Sequence, residues 1–388
     1  MNTGIINNIQ ISQKKCRQSN FELLRIIAML FIIASHFAVH GGMVFSTPSF
    51  NSIFVQILSL GGKIGVNLFV LITGYFGVTK TSFSVNKISK LIIQVSFYSV
   101  VLYSICCIIG AGIFGIRLFG EAALPMIFRS SDYWFFSVYL LLYLSAPFLN
   151  AAINRLGKRE LCATILIFIF FFTIVPHFFG AINTVTSYGF SELIWFYVMY
   201  LVGAYIRLYN PLKSGVFKIV VALIASSLLF IAVNSAYIMF DGAAWSGTFG
   251  EILSDLLWNL KNSQMNNFFP LVISLLWFLL FQKINIGNLK ILNLIGKSTF
   301  GIYLIHDNDY FRPVLWNKIF RLPEAVENRM LFLYAIFCII VVFVCCSLID
   351  IGVSFIFEKA VYSRKYWNTF MDRIDKKNRS RKDEPQGS

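Results

Sequence analysis

Apolar runs of about twenty residues, long enough to cross ~30 Å of hydrocarbon, recur along this chain from Phe21 to Phe357 and limit what it can fold into. A backbone in lipid must satisfy its own hydrogen bonds, so only helices and closed barrels can span. A barrel would show short alternating segments. These runs are continuous, and the reading is an all-α polytopic membrane helix bundle. Composition agrees: 57% of the 388 residues are hydrophobic and only 13% are charged, too much apolar surface for a soluble domain to cover.

Ten transmembrane spans follow, at roughly 21–41, 64–78, 91–110, 133–152, 161–180, 191–209, 217–240, 268–282, 292–309 and 331–357. In the second, Gly61-Gly62-Lys63 interrupts a run that begins at Ile53, so Ile53–Leu60 reads as an interfacial segment before a short span. Lysine and arginine then set the orientation. Lys14, Lys15, Arg17 and Arg25 precede or edge the first span. Lys80, Lys87 and Lys90 follow the second, and Arg155, Lys158 and Arg159 the fourth. Arg207, Lys213 and Lys218 follow the sixth; Lys283, Lys290 and Lys297 follow the eighth. The intervening loops are richer in acid, although Arg312, Lys318, Arg321 and Arg329 dilute the last of them. Every second loop is basic, which places both termini in the cytoplasm, with residues 1–20 as a leader and 358–388 as a basic tail.

The net charge of +15 is therefore orientation signal and lipid-facing tail, with no need of nucleic acid. The first twenty residues are polar and show no cleavable signal peptide. Six of the seven cysteines sit in apolar runs, with Cys16 in the leader, and none has metal-ligand spacing. They read as small core residues, and no metal is expected. Neither an internal repeat nor a Walker-type phosphate loop is present.

The first span, FELLRIIAMLFIIASHFAVH, keeps Glu22, Arg25, His36 and His40. Arg25 and His36 are eleven residues apart, close to three helical turns, so they share a face about 16 Å apart. Glu22 lies a turn before Arg25, and His40 a turn after His36. A charge near the cytoplasmic boundary and an imidazole at mid-membrane result. Arg25 can simply snorkel to headgroups, and His36 can be neutral interhelical glue worth about 1 kcal/mol. An ionisable group near the bilayer centre is nonetheless a functional candidate. His40 and His177 fall near predicted outer ends and read as interfacial. Asp350, the acid deep in the last span, can pair with another helix or serve a reaction.

These residues resemble the acyltransferase-3 family of integral membrane O-acyltransferases, whose first helix carries an arginine, ten intervening residues and a histidine. GKIGVNLFVLITGYFGV (Gly62–Val78) is similar to that family's glycine-valine segment ending in Ser-Gly-Tyr, here Thr73-Gly74-Tyr75. DYWFFSVYLLLYLSAPFLN (Asp132–Asn150) resembles its Trp-Phe helix, and LIGKSTFGIYLIHDN (Leu294–Asn308) its late Ser-Phe-Gly-Ile-Tyr-Leu-x-His signature. The match covers nearly all of the chain to residue 357 and makes 21–357 a transmembrane acyltransferase domain.

The resemblance implies transfer of an acyl group, usually acetyl from cytoplasmic acetyl-CoA, to a hydroxyl of a carbohydrate acceptor. That acceptor would be a capsule, exopolysaccharide or lipid-linked envelope glycan, and the setting a bacterial plasma membrane. Acetyl-CoA enters as donor substrate, membrane lipids are the solvent, and homo-oligomerisation is left open. The family's basic pair after the second helix corresponds here to Lys87 and Lys90, which lack the planar fork of arginine. No hydrolase-like domain follows the last span. His36 is expected as general base or acyl acceptor. Arg25 is expected toward the coenzyme, with Lys87 and Lys90 at its phosphates. His306, Tyr303, Tyr75 and Trp134 are candidates for the acceptor path. Ser298 and Thr299 read as a helix start with capping hydroxyls. Three rivals stand beside this: a carrier for lipid-linked sugars, a scaffold for a polysaccharide synthase, and transfer of a succinyl group.

Overall fold

The computed structural model describes residues 18–374 except 129–132, 179–190, 212–213, 241–247, 262–263, 365, 368 and 372. The leader before residue 18, the tail beyond 374, and loop charges such as Asp132, Lys213 and Asp241 lie outside the described residues. Among the described residues the fold is all helix, with no strand.

The ten expected spans each coincide with a helix. We number them α1 (Ser19–His40), α2 (Phe50–Gly77), α3 (Val85–Ile108), α4 (Trp134–Arg155), α5 (Lys158–Ile169), α6 (Glu192–Tyr209), α7 (Val216–Phe240), α8 (Phe268–Lys283), α9 (Lys290–His306) and α10 (Leu331–Phe357). Seven are long and apolar enough to cross a membrane: α1 to α4, α5 with its continuation to Phe178, α7 and α10. The chain is thus a multi-pass membrane protein. Of the other three, α8 is apolar but only 16 residues long, and α9 has 17 residues with Lys290, Lys297 and His306. Helix α6 carries Glu192, Arg207 and four tyrosines.

The second span corrects the sequence reading. Helix α2 is continuous over 28 residues and begins at a capping box, in which the Ser52 amide donates to Ser49 Oγ and the Ser49 amide to Ser52 Oγ. The glycines read as a break are instead a seam against α1. A Cβ at Gly61 would lie 2.6 Å from the Phe31 carbonyl oxygen, and one at Gly65 2.5 Å from that of Ala28. Small residues let two membrane helices approach this closely. A second seam joins α2 to α6, where a Cβ on Gly74 would strike the Tyr200 backbone and one on Gly203 that of Leu71. The Thr73-Gly74-Tyr75 motif therefore serves packing at its glycine.

Buried polar groups pin these helices. Trp195 Nε1 donates to Asn67 Oδ1 (2.9 Å), whose Nδ2 donates to the Met265 carbonyl (2.9 Å). Asn150 Nδ2 donates to the carbonyls of Gly77 (2.9 Å) and Lys80 (2.7 Å), tying the loop after α2 to α4. Asp350 is a structural acceptor, bonded by Gln94 Nε2 (2.9 Å) and Tyr98 Oη (2.8 Å) of α3. Two further expectations are corrected. Ser298 and Thr299 sit inside α9, not at its start; their hydroxyls donate back to the carbonyls of Ile295 and Gly296. His177 is buried, not interfacial, and its Nδ1 donates to the Thr173 carbonyl across a π-turn that precedes Pro176.

Candidate active site

Helices α1, α2, α4 and α9 enclose a cavity of about 660 Å³, with the start of α3 at one end. On α1 its lining runs from Arg25 through Met29, Ile32 and His36 to His40, the stripe expected from the spacing. The cavity has a cationic Arg25 end and an imidazole-rich His40 end.

Two candidate residues from distant parts of the chain meet at the His40 end. His36 Nδ1 lies 3.0 Å from His306 Nε2, and His306 Nδ1 lies 2.6 Å from the Ile302 carbonyl oxygen. That carbonyl can only accept, so His306 carries its proton on Nδ1 and its Nε2 accepts. His36 must then be the donor through Nδ1, which leaves the lone pair of His36 on Nε2. His306 is fully buried behind His36 and does not line the cavity. Asp307 and Arg312 brace the pair. Asp307 Oδ1 is 3.4 Å from His36 Nδ1 and 4.0 Å from His40 Nε2, and Arg312 Nη1 binds the same oxygen at 3.0 Å. The other terminal nitrogen of Arg312 holds Asp309 at 2.7 Å. Asn308 Nδ2 donates to Tyr133 Oη (2.7 Å), and Tyr133 donates to the Leu304 carbonyl (3.0 Å), which fixes the end of α9 against α4.

His36, His40 and Asp307 bring three ligand atoms within 4.8 Å of one another, a spacing a divalent metal can use. Nδ1 of His36 already meets His306, and Oδ1 of Asp307 already meets Arg312. A metal bound through either of these atoms would compete with those partners.

At the opposite end Arg25 Nη1 donates to Glu22 Oε1 at 2.6 Å, one turn back on α1. The ion pair fixes the guanidinium while part of it faces the cavity. Lys87 lines the same end, its ammonium 4.6 Å from the centroid of the Tyr143 ring. A side chamber of about 100 Å³ adjoins, lined by Arg25, Thr73, Lys80, Lys87 and Tyr139. Burial first, and then the Lys87 ammonium, lowers the pKa of Lys80 below the ordinary lysine value. Crowded cations of this kind form a ready site for a polyanion.

Of the other candidates, Trp134 and Tyr303 line the cavity. Lys90 and Tyr75 do not. Lys90 projects to the far side of α3, 3.2 Å from Glu358 and over the Tyr362 ring. Tyr75 packs on Phe21 and accepts a hydrogen bond from Arg207 (3.2 Å). Sequence reading missed Lys63, Lys80, Tyr139 and Lys297 as lining and Asp307 as a neighbour of His36, and it read His40, one turn from His36, as interfacial where it lines the cavity. The available signal was a lysine inside an apolar helix and an Asp next to the late histidine.

A multi-pass helical protein with a histidine-bearing cavity reaching toward a cationic end is the class that fold and site define. The acyltransferase domain model of the acyltransferase-3 family matches residues 18–350. The chain belongs to that family and is a membrane acyltransferase. No curated protein and no solved structure matches it.

Proposed function

We propose that the protein transfers an acyl group, acetyl in the first instance, from cytoplasmic acyl-CoA to a hydroxyl of an envelope glycan at a bacterial plasma membrane. The observation that carries this reading is the His36–His306 pair in the wall of a cavity whose other end holds Arg25 and Lys87. Family membership favours transfer over a carrier or a scaffold.

In this reading ten helices span, both termini are cytoplasmic, and the Arg25 end opens to the cytoplasm. Arg25, Lys80 and Lys87 bind the coenzyme phosphates; Lys80 takes the place expected of Lys90. His36 Nε2 accepts the acceptor's hydroxyl proton as that oxygen attacks the thioester carbonyl. The new C–O bond replaces the C–S bond, and the protonated ring returns its proton to the departing thiolate. His306 and Asp307 are positioning residues: they fix the His36 tautomer and favour the imidazolium formed in flight. Tyr303 and Trp134 offer aromatic faces for a sugar ring on the acceptor path.

The test is acylation of the envelope glycan, read by mass spectrometry at matched protein levels. His36→Ala should lower transfer by about 10²- to 10⁴-fold, the usual worth of a positioned base. Retained transfer would refute the role.

A further inference from the structure

Lys63 lines the cavity beside the histidine pair, half-buried within an apolar helix. Its height is fixed by the α1–α2 seam. A Cβ on neighbouring Gly62 would meet Ser35 Oγ at 2.6 Å, and Ser35 Oγ donates to the Ser59 carbonyl at 2.8 Å. Lys63 therefore stands level with His36, at the end remote from Arg25. The charged groups around it are His36 and His40 of α1, Arg312 after α9, and Glu192 at the start of α6. None of these neutralises it by contact. Asp307 and Asp309 are both held by Arg312, and Glu192 is exposed and forms no ion pair with Lys63 among the described residues. A part-buried ammonium with no ion-pair partner among the described residues is one that a substrate anion can pair with.

We propose that Lys63 is the counter-cation for a carboxylate or phosphate on the acceptor, so that the acceptor glycan is an acidic one. The assignment rests on the acyltransferase reading, and specifies its substrate class. The coenzyme's phosphates already have Arg25, Lys80 and Lys87 at the other end, on the order of 16 Å away along α1. The remaining source of an anion near His36 is the acceptor, or the distal carboxylate of a dicarboxylic acyl group.

The experiment uses the full-length protein in phospholipid vesicles. Thermal stabilisation is measured, without donor, for methyl glucuronide, glucose 1-phosphate and neutral methyl glucoside. CoA release from acetyl-CoA and from succinyl-CoA is measured in parallel. The charged sugars should bind about 10-fold more tightly than the neutral one, the worth of one charge-assisted hydrogen bond. Lys63→Met should abolish that preference, Lys63→Arg should keep it, and the KM for acetyl-CoA should not move. Equal binding of all three sugars by the wild type overturns the proposal. So does a charge preference that survives Lys63→Met, or a variant whose main change is loss of succinyl-CoA over acetyl-CoA use. Because binding is read without turnover, a Lys63-dependent preference in His36→Ala stands even if the catalytic reading fails.

Discussion

His36 owes its proton arrangement to a carbonyl on another helix. The order Ile302 carbonyl, His306, His36 leaves one ring nitrogen of His36 unshared, and removing the middle member leaves only the longer Asp307 contact to hold that tautomer. His306→Ala should therefore lower kcat by about 10-fold or more while leaving the KM for donor nearly unchanged, and should broaden the pH profile. A large KM change with normal kcat would count against a positioning role. Lys80 supplies a second outcome. Its lowered pKa means that the free protein loses this charge as pH rises through a range below that of ordinary lysine. An anion binds the charged form, so the KM for acyl-CoA should climb as pH rises, and should do so below the range in which an ordinary lysine titrates. Lys80→Arg keeps its charge there and should flatten the climb.

Helix contacts explain which parts of the site could be read in advance. The Arg25–His36 stripe was visible because a 3.6-residue period within one helix is a local property. The His36–His306 bond spans 270 positions, and no spacing rule relates α1 to α9. Family resemblance brought both histidines forward; only the fold brought them into contact. Gly61-Gly62-Lys63 was misread because glycine weakens isolated helices, whereas here it lets α1 and α2 approach closely. Lys90 and Lys87 were paired by sequence proximity, yet three residues along α3 carried them to different partners, Glu358 and the Tyr143 ring. The same logic gives a stability prediction at α9 and α10. A Cβ on Gly301 would run into the Asp350 carboxylate, which α3 holds in place through Gln94 and Tyr98. Gly301→Ala should cost about 1–3 kcal/mol, seen as a lowered unfolding temperature in detergent. An unchanged temperature would show that the Asp350 network yields freely.

For the molecule as a whole, charge distribution yields an orientation that labelling can check. Single cysteines placed at Thr81 and Gly287 should react with an impermeant thiol reagent from the cytoplasmic face, and one at Thr47 only from the opposite face. Labelling of Thr81 and Thr47 positions from one side would break the ten-span arrangement. The seven long apolar helices were readable because hydropathy and length are properties of contiguous sequence. The cavity was not, since its walls come from α1, α2, α3, α4 and α9. The α1 lining from Arg25 to His40 covers roughly 22 Å, most of a hydrocarbon core of ~30 Å. A wet recess that deep would ordinarily leak ions and drain the membrane potential. Arg25, Lys63, Lys87 and Lys297 outnumber the single carboxylate, Asp307, in this lining, and an excess of fixed cations opposes the entry of protons and metal cations while favouring anions. On the proposed reading, the charges that receive the substrates would also keep the bilayer insulated.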